Sequence, residues 1–480
     1  MLKKLNRSNI ESVPAYPERI VQFGAGNFLR AFADWAIQEL NEQTDFDSSV
    51  VVVKVTPGTY TELDEQDGLY HVYLQGIQDG QEVTRTQLIT CISRTVYPYD
   101  DWAAYLDLAA QPEIRFLISN TTEAGISYDE SDRADATPPS SFPAKLALFL
   151  CHRYQRFNGG ADKGCIIIPT ELVEDNGTQL QTMILRYAEQ WGLEAGFMEW
   201  VQTANIFCNT LVDRIVPGYP KAQSEAILAE AGYEDDLLVM GELYHSWIIE
   251  APDQIKQEFP VDQTDLNIKV VADAAPYRET KVRILNGAHS SMVPIGYLLG
   301  LESVRESMEH PVLGPFLQAL IRQEVIPSMD LPADELEPFA ADVFDRFRNP
   351  GIHHRLLSIA VNSSAKVKTR LVPSIKAYAS KYGEVPPRLV IAMAAFIRMY
   401  KGQWQGETVP LNDDPAVIDW FRQQWQTQPS MPDLARAVLQ YKPLWDEDLS
   451  QIPGLQDQLS TYLQQIDEVG LLPLLEKLKN

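Results

Sequence analysis

The first half of the chain alternates short apolar runs with stretches in which apolar residues recur at helical spacing. The runs are rich in β-branched residues and occupy residues 20–23, 50–55, 115–119 and 164–169. Between them, a helical spacing of three and four is found in residues 27–39, 102–110 and 143–156. Strands that are apolar along their whole length are typical of a parallel sheet covered on both faces. The alternation therefore predicts an α/β domain with a doubly wound sheet.

The pattern changes after residue 275, where most apolar positions follow the 3.6-residue period of a helix. Candidate helices are residues 279–292, 312–324, 354–363, 387–400 and 415–424. Strand signals are few in this half of the chain. We therefore predict two domains: residues 1–275, with the doubly wound sheet, and residues 276–480, which are mainly helical.

Composition narrows the class of protein. Of 480 residues, 45% are hydrophobic and 22% are charged, as in ordinary globular proteins. The longest apolar run, residues 389–397, is too short to cross a membrane, and no apolar segment follows Lys3 and Lys4. We therefore expect neither a membrane partner nor a secretory signal. The four cysteines form no CxxC pair, which predicts reduced thiols in a cytoplasmic protein and no metal site.

The formal net charge of the chain is -26 at pH 7. Such a charge repels nucleic acid and anionic membranes, so we expect neither as a partner. The same field repels a small anion. If the substrate is an anion, a local cluster of Lys and Arg must hold it against that field.

A glycine turn lies between the first predicted strand and the helix after it. Gly24 permits a tight turn, and Gly26 lets the backbone approach a pyrophosphate at the N-terminus of the helix. Leu29 replaces the third glycine of the usual fingerprint, and Lys54 stands near the end of the second strand, where an acidic residue would hold a ribose. The turn predicts a Rossmann-type dinucleotide site. The turn does not decide whether the dinucleotide is NAD or NADP. The same residues would also fit a turn whose glycines serve the backbone geometry alone and bind no dinucleotide.

A second constellation is Lys-x4-Asn-x2-His, formed by Lys281, Asn286 and His289. In a regular α-helix Asn286 and His289 are roughly 60° apart and Lys281 is roughly 140° from Asn286, so the three border one cleft without forming a narrow stripe. A lysine can exchange a proton with a reacting oxygen, an asparagine can donate to a developing alkoxide, and a histidine can orient a hydroxyl. The pattern favours carbonyl reduction without a metal. Taken singly, each residue also fits an ordinary structural role.

Three motifs in this order resemble those of the polyol-specific long-chain dehydrogenases. They are G-x-G-x-F-x-R-A-F at residues 24–32, V-D-R-I-x-P at residues 212–217, and the Lys-x4-Asn-x2-His pattern. The resemblance covers most of the chain. It implies an NAD(H)-linked secondary alcohol dehydrogenase that uses no metal. It further implies Lys281 as general acid/base, Asn286 and Asn209 as a pair of donors to the reacting oxygen, and His289 as a residue that positions the substrate.

The resemblance also assigns residues to the cofactor. The run at residues 119–126 follows a predicted strand, where ligands of doubly wound sheets bind, and we expect it to border the nicotinamide. Together with the glycine turn, the expected contacts of NAD are Gly24, Gly26, Asn27, Phe28, Arg30, Thr121 and Glu123.

Further stretches resemble the members of that family that reduce anionic keto-uronates. They are residues 16–20, 119–128, 284–289 and 346–350, and Ala251 stands where mannitol-type enzymes tend to have an aspartate. We therefore predict the reversible reduction of the keto group of a keto-uronate. Candidate ligands of its carboxylate are His354, Lys366 and Arg370, the last two one helical turn apart, although a solvated basic face fits them equally. The alternatives are a fructuronate reductase or a hexitol 2-dehydrogenase of the same family, or a non-catalytic NAD-binding sensor.

Overall fold

A computed structural model describes residues 2–78, 80–122, 125–428 and 430–479. The chain forms two compact units. The first consists of Met1–Gln75 and Val83–Ala274, and the second of Gly76–Glu82 and Ala275–Asn480. We predicted two continuous ranges. In the structure the short segment Gly76–Glu82 instead groups with the helical second unit.

The first unit is built around a six-stranded parallel sheet. Its strands are β1 (Glu18–Phe23), β2 (Ser49–Val53), β3 (Ile92–Val96), β4 (Phe116–Ser119), β5 (Ile166–Pro169) and β6 (Ile206–Phe207). Their spatial order is β3-β2-β1-β4-β5-β6, and every neighbouring pair is parallel. The prediction of a doubly wound sheet is confirmed, and all four predicted apolar runs are among its strands.

Both faces of this sheet are buried. Successive residues of β1 point to opposite sides, so that Ile20 belongs to one apolar cluster and Val21 to another. The same division separates Val50 and Val52 from Val51 in β2. Because neither face of these strands meets water, each strand is apolar along its length, which explains why the runs could be recognised in the sequence.

The order of the strands reverses between β1 and β4. The chain proceeds from β1 to β2 and β3 on one side, and then returns to β4, β5 and β6 on the other. In doubly wound sheets, ligands bind in the crevice outside the carboxyl ends of the strands at such a switch point. The turns that follow Phe23 and Ser119 are therefore the places where this unit is expected to hold a dinucleotide.

A second sheet of the first unit, which the sequence did not predict, has three strands. It joins Asn209–Asp213, Ser246–Glu250 and Ile268–Val271. The first two strands are antiparallel, and their register places Asn209 opposite Glu250. The remaining strands before residue 275 are Lys3–Lys4, Tyr70–Gln78, Gln81–Ile89, Tyr233–Glu234 and Val239–Glu242. The helices of this part are Asn27–Leu29, Arg30–Asp34, Trp35–Gln43, Thr61–Glu65, Trp102–Ala109, Phe142–Arg156, Ala161–Lys163, Asn176–Gln190, Ala195–Thr203, Ser224–Ala231, Asp253–Gln257 and Val261–Gln263.

The second unit is mainly helical, as predicted. Helix Pro387–Met399 is buried from Arg388 to Met399, and its buried apolar residues belong to a single core. No helix of the described residues is long and apolar enough to cross a membrane. A short ribbon pairs Gln403–Trp404 with Glu407–Thr408. The other helices are Ala275–Thr280, Lys281–Asn286, Gly287–Leu298, Val304–Glu309, Leu313–Leu320, Ile321–Val325, Ile326–Ser328, Ala333–Arg348, Leu356–Ile359, Ser363–Arg370, Val372–Tyr382, Pro415–Thr427, Met431–Leu439, Lys442–Trp445, Leu449–Gln451, Leu455–Val469 and Leu472–Leu478.

One predicted helix, residues 354–363, is wrong. The structure has a short helix at Leu356–Ile359 and a separate one at Ser363–Arg370. Between them Asn362 adopts a left-handed conformation with a φ of 54°. Asparagine tolerates this conformation better than most residues, and the left-handed step ends one helix direction and starts another. The two basic residues at positions 366 and 370 therefore belong to a helix of their own.

Candidate active site

The glycine turn follows β1 in the first unit. Gly24 has a φ of 111°, in the region that favours glycine. Its N–H donates to Val53 O at 2.9 Å, and a Cβ atom on Gly24 would lie 3.3 Å from Leu29 Cδ1. The turn is thus held against β2, and Leu29, which replaces the third glycine of the fingerprint, is buried behind it.

Gly26 is exposed and precedes a continuous helix, which we call the turn helix, formed by Asn27–Leu29, Arg30–Asp34 and Trp35–Gln43. No side chain caps the first turn. A Cβ atom on Gly26 would have nothing within 4 Å among the described residues. The first N–H groups of a helix lack intrahelical acceptors and attract anions. Open space in front of these donors fits a pyrophosphate and supports the predicted dinucleotide site.

The other predicted cofactor residues of the turn helix differ in exposure. Asn27 is exposed, and its Oδ1 accepts a hydrogen bond from Arg30 Nη2 at 2.7 Å. Arg30 is buried and also donates to Leu237 O. Phe28 is partly buried and stacks on Phe32, with 4.7 Å between the ring centroids. Arg30 therefore supports Asn27 from behind, while Gly26 and Asn27 occupy the exposed end of the helix.

Arg214, in the V-D-R-I-x-P segment, braces the turn helix through its backbone. Arg214 Nη1 donates to Ala31 O at 2.6 Å, and Nη2 donates to Leu243 O at 3.2 Å. Its guanidinium carbon lies 3.9 Å from the centre of the Trp35 ring. Burial lowers the pKa of Arg214 to about 9. This role was missed from the sequence because nothing in the spacing pairs residue 214 with residue 31.

The loop after β4 is held by Glu171, a buried residue that the sequence did not single out. Glu171 accepts hydrogen bonds from Thr121 N at 2.9 Å, from Thr121 Oγ1 at 3.0 Å and from Ser119 Oγ at 3.0 Å. Burial raises the pKa of this carboxyl group. Thr122 has a left-handed φ of 77°, and Glu123 lies outside the described residues. Thr121 is thus a fixed part of the crevice wall at the carboxyl end of β4.

Asn209, the predicted oxyanion donor of the first unit, is held at both ends of its amide. Its Oδ1 accepts a hydrogen bond from Thr178 N at 2.9 Å. Its Nδ2 donates to Glu250 Oε1 at 2.9 Å. A primary amide carries two N–H donors, and the bond to Glu250 uses one of them. The second donor is the group that the predicted role requires.

Lys281, Asn286 and His289 share one helix of the second unit. This lysine helix is continuous through Ala275–Thr280, Lys281–Asn286 and Gly287–Leu298. Its middle segment is a π turn, in which Gly287 N–H donates to Val282 O five residues earlier. A π turn holds one residue more than an α turn, so Lys281 and Asn286 are aligned as residues four apart would be, about 40° rather than about 140° apart. We expected these three side chains to be spread widely around the helix. With the π turn they instead form a narrow stripe along it.

His289 lies among aromatic rings and cations of the second unit. Its ring stacks on Phe347 with 4.3 Å between centroids and meets His354 edge-on at 5.2 Å. Its Nε2 is buried without a hydrogen-bond partner in the described part of the chain. Burial holds the pKa of His289 well below its usual range, and the pKa is lowered further by His354, Arg346, Arg370 and Lys366. The imidazole is therefore neutral at neutral pH, and the three predicted carboxylate ligands share its neighbourhood.

The two basic residues of helix Ser363–Arg370 are partly desolvated. Arg370 Nη1 donates to Ser290 Oγ at 3.2 Å, and Lys366 Nζ donates to Ile359 O at 2.8 Å. Burial lowers the pKa of both groups, and Arg370 lowers that of Lys366 further, while Asp413 opposes the change. Cations that have lost part of their water without a full set of carboxylate partners favour the binding of an anion.

Comparison with known proteins gives one family for most of the chain. Residues 18–263 match the Mannitol dehydrogenase Rossmann domain, and residues 273–467 match the Mannitol dehydrogenase C-terminal domain. The altronate oxidoreductase of Bacillus subtilis (strain 168) is 46% identical over 478 residues, which are 99% of this chain and 98% of that protein. The altronate oxidoreductase of Klebsiella pneumoniae (strain 342) is 45% identical over 476 residues, 98% of each chain.

Two solved structures share the fold. One is the substrate-free form of D-sorbitol dehydrogenase, with a TM-score of 0.78 and 21% identity over 98% of this chain and 99% of that one. The other is the ternary complex of Pseudomonas fluorescens mannitol 2-dehydrogenase with NAD and D-mannitol, with a TM-score of 0.63 and 21% identity over 99% of both chains.

The two glycines of the turn should respond differently to the same substitution. Gly26→Ser places a side chain in open space on extended backbone and supplies a helix cap, so the free energy of unfolding should stay near that of the wild type. The added hydroxyl competes for the first N–H groups, so the Kd of NADH should rise. Gly24→Ser forces a left-handed φ on serine and should lower the free energy of unfolding by about 1–2 kcal/mol. Urea denaturation and NADH titration of both variants measure the contrast, and equal NADH affinity in Gly26→Ser and wild type would contradict it.

Proposed function

The chain belongs to the mannitol dehydrogenase family, and we propose that it interconverts tagaturonate and altronate with NAD(H) as its cofactor. The relatives named altronate oxidoreductase match it over nearly their full length. The observation that carries the proposal is the group of cations around His289, in a chain whose net charge is -26. That group supplies the local attraction that an anionic sugar acid needs.

The residues of the lysine helix have separate roles in the proposed reduction. The cofactor NADH, when bound, would supply the hydride that the carbonyl carbon accepts. As negative charge develops on the carbonyl oxygen, the amides of Asn286 and Asn209 donate hydrogen bonds to it, and Lys281 supplies the proton that completes the alcohol. His289 is neutral, so it acts by hydrogen bonding to a substrate hydroxyl through its unpartnered Nε2.

The carboxylate of the substrate is assigned to the basic residues beside His289. Arg370 presents a planar guanidinium that can bind a carboxylate with two parallel hydrogen bonds, and Lys366 adds a point charge one turn away. His354 lies edge-on to His289 and completes the set. On this assignment, a sugar acid should bind better than an uncharged ketose of the same length.

Two further features bear on the setting of the reaction. The four cysteines are buried and free, in keeping with a reducing cytoplasm, which we assign as the compartment. Among the described residues, no group of three or more His, Cys, Asp or Glu could hold a metal ion.

A panel of substrates tests the proposed function. We expect NADH oxidation to be fastest with tagaturonate, slower with its stereoisomer fructuronate, and slowest with fructose, which lacks the carboxylate. Initial rates at equal concentrations of the three compounds, with NADH and then NADPH, measure the order. An equal or higher kcat/KM with fructose would contradict the assignment to sugar acids, and a preference for fructuronate would name the sister activity instead.

Arg370→Met tests the carboxylate site. Loss of a charge-assisted hydrogen bond to the substrate should raise the KM of tagaturonate about 10- to 100-fold. Because fructose offers no carboxylate, its kcat/KM should change little, and the Kd of NADH should stay the same. Arg422→Met is the matched control, since Arg422 is exposed in the same unit and forms an ion pair with Asp419. A parallel loss for tagaturonate and fructose would show that Arg370 supports the fold of the site rather than the charge of the substrate.

Lys281→Ala tests the proton donor. General acid/base help is worth roughly 10²–10⁴ in rate, so kcat should fall by about that factor while NADH still binds. A small primary amine added to the assay should restore part of the rate, because it can enter the space left by the side chain. His289→Asn is the comparison, since it keeps a hydrogen-bonding group and should mainly raise KM. Near-normal turnover of Lys281→Ala together with abolished turnover of His289→Asn would assign the proton to His289.

A further inference from the structure

Glu250 is a carboxylate of the first unit that ends strand Ser246–Glu250, opposite Asn209. Its two oxygens have separate partners. Oε1 accepts a hydrogen bond from Asn209 Nδ2 at 2.9 Å, and Oε2 accepts one from Ala274 N at 2.8 Å. The predicted site residues do not include Glu250.

The hydrogen bonds around Asn209 leave its amide only one orientation. Thr178 N–H can only donate, so the amide oxygen must face it, and the distance is 2.9 Å. The Thr178 hydroxyl lies 3.2 Å from the same oxygen. A carboxylate can only accept, so the amide nitrogen must face Glu250. The contacts with Thr178 and with Glu250 therefore require the same orientation of the Asn209 amide. The second N–H of Asn209 keeps one fixed direction as a result.

From this arrangement we propose that Glu250 is the positioning residue of the reaction, which fixes the Asn209 amide so that its second N–H is presented to the reacting oxygen. The inference rests on the proposed function, in which Asn209 stabilises that oxygen. Glu250 acts through Asn209 and need not touch the substrate. The same carboxylate also accepts a hydrogen bond from the backbone N–H of Ala274, the last residue of the first unit.

A glutamine at position 250 would break this arrangement with little change of shape. One of its two ends would be an NH₂ group, which would face the N–H of either Asn209 or Ala274. The amide of Asn209 cannot turn over to accept from it, because its oxygen would then leave Thr178. Two donors would face each other at Asn209 or at Ala274, so one of the two hydrogen bonds that fix the second Asn209 N–H, directly or through position 250, would be lost.

The test is a double-mutant cycle of Glu250→Gln, Asn209→Ala and the two together. Removing one donor to a reacting oxygen costs about 10²–10³ in kcat, which is the loss expected for Asn209→Ala. Glu250→Gln should lower kcat about tenfold or more, with the KM of the substrate and the Kd of NADH near wild type. Once Asn209 is alanine, Glu250→Gln should have no further effect on kcat. Losses that multiply in the double variant would overturn the proposal.

The control is Glu258→Gln, which alters the same functional group elsewhere in the unit. Glu258 is also partly buried and accepts one N–H on each oxygen, both from Arg115 at 2.8 Å. Arg115 precedes β4, at the amino edge of the sheet, away from the predicted crevice. Glu258→Gln should leave kcat unchanged. A tenfold loss in this variant would show that any buried carboxylate of the unit has the same effect and would overturn the assignment.

A charge-conserving exchange separates positioning from folding. The double variant Asn209→Asp with Glu250→Gln reverses the bond between the two side chains. The carboxylate at position 209 accepts hydrogen bonds from Thr178 N and from the amide nitrogen at position 250. The amide oxygen at position 250 still accepts from Ala274 N. Every hydrogen bond of the network is kept, yet position 209 has no N–H to offer. The thermal midpoint should stay near wild type while kcat falls as far as in Asn209→Ala, and wild-type kcat in this variant would overturn the proposal. The cycle is run on whichever ketone the wild-type protein reduces, so the substrate panel alone decides the proposed function.

Discussion

A polar side chain keeps a single orientation when its hydrogen-bond partners fix it, and this constraint acts on the candidate site residues of each unit. Asn27 is supported by Arg30, Thr121 by Glu171, Asn209 by Glu250, and Ser290 by Arg370. In each case the supporting residue is charged, and in the first three the supported residue is one that the family resemblance assigns to chemistry or to the cofactor. The supporting charges fix rotamers that a lone amide or hydroxyl would not hold. Within the part of the chain that the structure describes, His289 Nε2 has no such partner, and the proposed mechanism gives it a substrate hydroxyl.

The electrostatics of the chain operate on two length scales. Over the whole chain the net charge of -26 repels anions, but this long-range field is screened within about 10 Å at ordinary ionic strength. Around His289, several cations act over short distances in a partly desolvated space, where screening is weak. The local attraction therefore decides whether an anion binds, while the general field disfavours anions elsewhere on the surface. Burial and the same cations lower the pKa of His289, so that the imidazole is neutral.

The sequence was sufficient for features that depend on local pattern. Strands such as Ile166–Pro169 are buried on both faces and were visible as apolar runs, and the glycine turn was visible because Gly24 needs a positive φ. The sequence was insufficient where one residue changes a periodicity: a π turn moves Lys281 relative to Asn286, and a left-handed Asn362 divides a predicted helix. It was also silent on Glu171 and Glu250, because their partners are distant in sequence and a single sequence carries no signal that pairs them. The family resemblance named the residues expected to react but not the residues that hold them.

The strand order of the first unit has a consequence for how that unit forms. The crevice needs β1 and β4 side by side, yet β4 begins roughly 90 residues after β1 ends, and pairings between such distant segments form slowly because a long loop must close first. The turn helix can form early from local contacts, but the wall that carries Thr121 exists only after β4 and β5 have joined the sheet. A dinucleotide that contacts both the turn after β1 and the loop after β4 thus needs the completed sheet. Its stabilising effect falls on the rate of unfolding, and the rate at which the unit folds depends on the chain alone.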